Sequence, residues 1–155
     1  MKFSKSIADR YTHETLSARE AQRQAEFIAW APVIFQVSRV MLKFGIFDML
    51  RDSLNGLTID ELQQKTNLST YALKILLEAS LSAGTILIDP ESDRYTLSKT
   101  GWFFLNDPAT RVNTDFNHDV NYKGMFHLDE ALLHGKPEGL KTLGSWSTIY
   151  EGLSK

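Results

Sequence analysis

The sequence predicts a mainly α fold: a winged helix-turn-helix with a small β-hairpin wing, plus extra N- and C-terminal helices. Three observations predict it. Thr58-Ile59-Asp60-Glu61 has the spacing of a capping box, in which a hydroxyl and a carboxylate satisfy each other's backbone N–H. Leu73, Leu76, Leu77 and Leu81 recur at helical spacing behind a Ser69 cap. Two β-prone runs, Thr85-Ile86-Leu87-Ile88 and Arg94-Tyr95-Thr96-Leu97, flank the turn cluster Asp89-Pro90-Glu91-Ser92-Asp93.

In order, residues 1–17 are polar and mixed and read as a mobile arm. Ala18 to Glu26 is rich in helix formers, and Phe27, Ile28 and Trp30 make its end apolar. Pro32, which has no N–H and clashes with the preceding turn, is expected to break or kink the helix. Val33, Ile34, Val37, Val40, Met41 and Phe44 then form one apolar face, and Phe35 with Leu42 forms a second strip. Surface helices keep one broad polar face. Two apolar faces therefore call for two packing partners, the second being another copy of the chain or a further domain. The alternative is the central core helix of a monomer. Gly45 closes the helix, and Ile46, Phe47, Met49 and Leu50 make a short apolar turn. Asn67 turns the chain and Gly84 takes the left-handed position after a helix.

After the wing, Ser98 starts a helix bearing Trp102, Phe103, Phe104 and Leu105. Asp107 caps the next segment with Pro108 in its first turn. Val112, Phe116 and Val120 share a face, and Gly124 interrupts. Met125, Leu128 and Leu132 form one stripe, with Phe126 and Leu133 on another, until Gly135 and Pro137. Residues 136–147 read as a loop with an exposed Trp146. Thr148 to Glu151 repeats the capping-box spacing, so a helix begins there, as in a truncated chain.

Composition sets bounds. A chain of 155 residues that is 43% hydrophobic can bury a core, and its net charge of −2 selects no partner. There is no cysteine, which removes disulfides and thiolate chemistry. Neither a signal peptide nor a membrane span is read, and the cytoplasm is the default expectation. Winged helices suggest DNA binding, but between Thr58 and Gly101 four basic residues (Lys65, Lys74, Arg94, Lys99) face six acidic ones. Phosphate neutralisation dominates DNA affinity, and no basic face is present to supply it.

No two of the nine glycines are separated by a single residue, so no dinucleotide loop or P-loop is encoded. His127 and His134 share a helical face with Glu130, which is short of a metal-ligand set. His118-Asp119 is either an acid–base pair or two polar surface residues. No catalytic, metal or cofactor-binding constellation is read. Phe116, Tyr122, Met125, Phe126, Trp146 and Tyr150 either line an apolar ligand pocket or pack as ordinary core.

The chain resembles the N-terminal dimerisation domain of S-adenosylmethionine-dependent O-methyltransferases, the group with plant caffeate-type and bacterial small-molecule enzymes. The resemblance is carried by Val37 to Leu50 with its Phe44-Gly45-Ile46-Phe47-Asp48 corner, by Leu57 to Leu62, and by Leu73 to Leu81. Arg94 to Gly101, Met125 to Gly135 and the Ile149-Tyr150-Glu151 segment extend it. Met125 stands where the family has tryptophan. The resemblance implies a homodimer, with Phe35, Leu42, Trp30 and Phe27 as interface candidates. It implies an acceptor pocket to which Phe116, Asn117, His118 and Tyr122 contribute. It implies S-adenosylmethionine as the parent enzyme's cofactor, held with the catalytic histidine by a Rossmann-like domain absent from this sequence; no histidine here matches that base. The expected organisation is a 1–17 arm, an 18–106 winged-helix dimerisation domain, and a 107–155 connector and substrate lid. A transcriptional regulator that binds DNA is the alternative, and a ligand-free interaction module is a third reading.

Overall fold

The structure, a computed structural model, describes residues 11–153. Residues 1–10 of the expected arm lie outside them. Helix α1 spans Ala18–Lys43. The Ser17 hydroxyl accepts from Glu20 N at 3.4 Å while the Glu20 carboxylate accepts from Ser17 N at 2.8 Å, a capping box. Pro32 does not divide this element as expected: one helix of 26 residues runs through it. Proline removes a single helical donor, and the packing of α1 on its neighbours outweighs that loss.

Gly45 adopts φ +66° and turns α1 into α2, Ile46–Asp52. Helices α3 (Ile59–Thr66) and α4 (Thr70–Ser82) follow. The capping box at α3 forms as read, with Glu61 N donating to Thr58 Oγ1 at 3.3 Å and Thr58 N to Glu61 Oε2 at 2.8 Å. Asn67 sits at φ +58° between the helices, and Ser69 caps α4 by accepting from Ala72 N at 3.2 Å. Strands β1 (Ile86–Asp89) and β2 (Arg94–Leu97) pair antiparallel, Ile86 opposite Leu97 and Asp89 opposite Arg94. Leu57 adds a bridge to Tyr95 that periodicity did not reveal, a single residue being too short to show a pattern.

The core lies where these elements meet. Met41 of α1, Ile46 and Phe47 of α2, Leu62 of α3, and Leu73 and Leu77 of α4 are wholly buried. Burial of that many large apolar side chains is the main force holding the helix-turn-helix and hairpin together. Helix α5 (Lys99–Asn106) closes the core through Leu105. Gly101 makes this possible, since a Cβ there would stand 2.1 Å from the Thr85 carbonyl oxygen.

From Pro108 the chain winds in one direction with changing pitch. Helix α6 (Pro108–Phe116) is capped by Asp107, whose carboxylate accepts from Thr110 N at 2.8 Å. A π-helical turn (Asn117–Asn121), an α turn (Tyr122–Gly124) and a 3₁₀ turn (Met125–His127) lead into α7, Leu128–His134. Gly124 therefore does not interrupt the helical path. It serves a close approach: a Cβ on Gly139 would lie 2.6 Å from the Gly124 carbonyl oxygen. A 3₁₀ turn, Glu138–Thr142, and a last helix α8, Ile149–Leu153, complete the described chain. Trp146 is not splayed outward as expected. Its indole covers Gly144 and Gly152, where side chains would collide with it.

Among the described helices, α1 is long and apolar enough to cross a membrane by length and composition, which the sequence reading did not register. Its C-terminal half holds Met41 in the centre of the core, and a bilayer position would draw that residue out.

Candidate functional site

Three features of the fold are candidates for a functional site. The first is the outer edge of α1. Trp30 is 62% exposed and Phe27 49%, and with Val33 and Ile34 they border a groove of about 420 Å³ whose far wall is Ala79 and Ser82 of α4. Arg23 and Glu26 form its rim. Exposed aromatic residues in a row on one helix are unusual for a solvated face and common in interface cores.

The second is a seam between α1 and the π turn. The Phe35 and Tyr122 rings stack with centroids 5.7 Å apart and planes 16° from parallel. The Tyr122 hydroxyl donates to the Pro32 carbonyl at 3.1 Å. The Gln36 amide donates to His118 Nδ1 at 3.2 Å, and Arg39 lies 3.9 Å from the Asp119 carboxylate. A π turn adds one residue to a helical repeat and re-aims the side chains after it. Here it sets His118 and Tyr122 against α1. Of the four residues expected at a partner interface, Phe35 and Leu42 are engaged within the chain, the first on Tyr122 and the second against the core. Trp30 and Phe27 remain at the surface.

The third is an apolar pocket of about 380 Å³ walled by Phe116, Val120, Met125, Leu128, Leu140 and Leu143, with Asn121 and His127 as its polar members. The four candidate acceptor residues do not converge on it. Phe116 lines it. Asn117 bonds along its own helix, donating to the Asn113 carbonyl at 2.9 Å and accepting from Asn121 at 3.1 Å. His118 and Tyr122 face α1 instead. Val112, one turn before Phe116 on the same helix, is mostly exposed.

Sequence reasoning missed residues 136–143, which form one wall of this pocket. The signal was the glycine pair Gly124 and Gly139, since paired glycines permit backbones to touch. His127 and His134 share a helical face with Glu130, as the spacing predicts. Each imidazole lies 3.2 Å from a carboxylate, Glu130 and Glu138 respectively. Among the described residues no group of three or more histidine, aspartate or glutamate side chains is gathered to hold a metal ion.

The helix-turn-helix offers little to DNA. Arg94, the one basic residue of the hairpin, is turned inward: its Nε donates to the Asn55 carbonyl and its terminal nitrogen to Glu61, both at 3.0 Å. The Asp89 carboxylate accepts from Ser92 Oγ at 2.5 Å and from Glu91 N at 3.0 Å, which fixes an acidic tip. A phosphate backbone would meet repulsion there.

Residues 22–95, just under half of the chain, match the model of the Dimerisation2-like domain. No curated protein matches the chain in sequence. Among the solved structures that share its fold are three methyltransferases. The S-adenosylmethionine-dependent methyltransferase SibL in its apo form is 18% identical, with a TM-score of 0.68 over 77% of this chain and 35% of that one. Human N-acetylserotonin methyltransferase in complex with S-adenosylmethionine is 18% identical, with a TM-score of 0.66 over 86% and 40%. RosA, the N,N-8-amino-8-demethyl-D-riboflavin dimethyltransferase of Streptomyces davawensis, is 24% identical, with a TM-score of 0.66 over 90% and 40%. The matched region spans between 35% and 40% of those chains.

Proposed function

We propose that this chain is the dimerisation and substrate-covering part of an S-adenosylmethionine-dependent methyltransferase, acting as a homodimer in the cytoplasm. The observation that carries the reading is the Dimerisation2-like match over a helix whose aromatic edge stands in solvent. Residues 18–106 supply pairing, and residues 107–155 connect to the catalytic domain and cover its acceptor. The donor binds in that other domain, and this chain alone transfers no methyl group. The acceptor is a small apolar molecule, since the pocket beside Phe116 is lined by carbon with few polar groups. A hydroxyl is the proposed methylated group. RosA, whose name gives an amine acceptor, has the same fold, so the pairing domain does not by itself select the atom.

The pairing is tested by sedimentation velocity at micromolar concentration. A dimer is expected for the wild type and a monomer for Phe27→Asp/Trp30→Asp, because two charges would be buried without partners. Phe35→Ala is expected to remain dimeric. A monomeric wild type overturns the reading.

A further inference from the structure

Residues 136–143 lie across α7 as a strap, and five side chains fasten them. Lys141 Nζ reaches Glu138 Oε2 at 2.8 Å and Glu130 Oε2 at 3.4 Å. His134 Nδ1 lies 3.2 Å from Glu138 Oε1, and His127 Nδ1 lies 3.2 Å from Glu130 Oε2. In space the order is His127, Glu130, Lys141, Glu138, His134. Two carboxylates each hold one imidazole and share one ammonium. Beneath them Gly139 rests on Gly124, and the strap contributes Pro137, Leu140 and Leu143 to the apolar pocket.

We propose that this network is a pH-responsive fastening that tightens the strap over the apolar pocket as the pH falls from 8 to 5. Its use as a control on acceptor access rests on the reading of the pocket given above. The fastening itself does not.

The argument is one of charge. With both imidazoles neutral, two carboxylates face one ammonium. With both protonated, each carboxylate lies between two cations, and each imidazole–carboxylate contact gains the attraction of an ion pair. The other titratable groups on the packed elements are Asp129 on α7, Lys136 at the head of the strap, and Tyr122 and Lys123 on the α turn beneath. Of these side-chain types, histidine is the one that ordinarily changes charge between pH 5 and 8. The Glu138 carboxyl is held below its usual value, first by Lys141 and then by His134, so it stays ionised across that range. The ion-pair contribution is present where the imidazoles carry a proton and is lost where they do not. The Glu138 contribution is present above the ordinary glutamate value of 4.5 and is lost as the pH falls through its lowered one. The strap is tightest where the imidazoles are charged and the carboxylates still ionised.

The test is amide hydrogen exchange of residues 136–143 in the 155-residue chain at pH 5.5 and 7.5, corrected for intrinsic rates. Protection about threefold greater at pH 5.5 is expected, the size that partly exposed ion pairs allow. His127→Gln/His134→Gln is expected to abolish that difference, and Lys141→Met to lower protection at both pH values. Exchange at Leu73 and Leu77 serves as the control for global folding. If the double variant loosens those sites, the single variants are read instead, each expected to halve the response. Equal wild-type protection at the two pH values overturns the proposal, and so does an undiminished response in the histidine variants. Neither result bears on dimerisation, and a monomeric chain with a responsive strap would overturn only the methyltransferase reading.

Discussion

Tyr122 reaches Pro32 across ninety residues of sequence: its hydroxyl donates to the proline carbonyl at 3.1 Å while its ring lies on Phe35. The two contacts come from one side chain and can be separated. Tyr122→Phe keeps the stack and loses the hydrogen bond, with an expected cost of about 1 kcal/mol. Tyr122→Ala loses both and is expected to cost about 2 to 3 kcal/mol. Urea denaturation monitored by circular dichroism reads the difference, and equal stabilities for wild type and Tyr122→Ala would sink the seam as a packing element.

Gly101→Ala should be among the most disruptive single substitutions in the chain. The added Cβ would stand 2.1 Å from the Thr85 carbonyl oxygen and 2.6 Å from Leu97, so α5 must lift from the hairpin. A loss of about 3 kcal/mol is expected, at the upper end of ordinary overpacking. Gly84→Ala is the useful contrast. It meets no atom within 4 Å, and its cost comes from φ +70° alone, about 1 kcal/mol.

Ser80→Ala should stabilise the protein. Ser80 is wholly buried in α4 and its hydroxyl has no hydrogen-bond partner, whereas its carbonyl accepts from Thr85 N at 3.0 Å and Thr85 Oγ1 at 3.1 Å. Removing the hydroxyl leaves those two bonds in place and ends an uncompensated desolvation, for a gain of about 1 kcal/mol. The check is a thermal melt, in which the midpoint rises by about 2 to 4 °C.

Glu61 ties the helix-turn-helix to the hairpin, and its contribution depends on pH. Its carboxyl is held below the ordinary glutamate value of 4.5, first by the Thr58 N–H and then by the Arg94 guanidinium. A depressed carboxyl stabilises the folded state above its ordinary value and ceases to do so as the pH falls through the lowered one. Glu61→Gln should therefore lower the melting temperature at pH 7, with a smaller difference from wild type at pH 4 and smaller still at pH 3. A difference that is constant from pH 7 to pH 3 would show that the carboxylate charge plays no part.

Much of the helix-turn-helix and hairpin was legible in the sequence because its signals are local. A cap and its partner lie three residues apart, as at Thr58 and Glu61, and a left-handed turn is announced by one residue, as at Asn67 and Gly84. The site was less legible because it is built from long-range choices. Periodicity identified Phe35 as apolar but could not say whether Tyr122 or a second copy would cover it. The π turn at Asn117–Asn121 shifts the repeat and sets His118 and Tyr122 against α1, which a regular helical face does not reveal, although Phe116 and Val120 still line one pocket. Pro32 was read by its usual effect on a helix, and the packing around α1 overrode it.

That uninterrupted helix has a mechanical consequence. Trp30, in solvent, and Met41, at the centre of the core, lie on one rod roughly 17 Å apart. With no break at Pro32, the two residues belong to one continuous helix. A partner gripping the outer half of α1 would hold an element that reaches into the core.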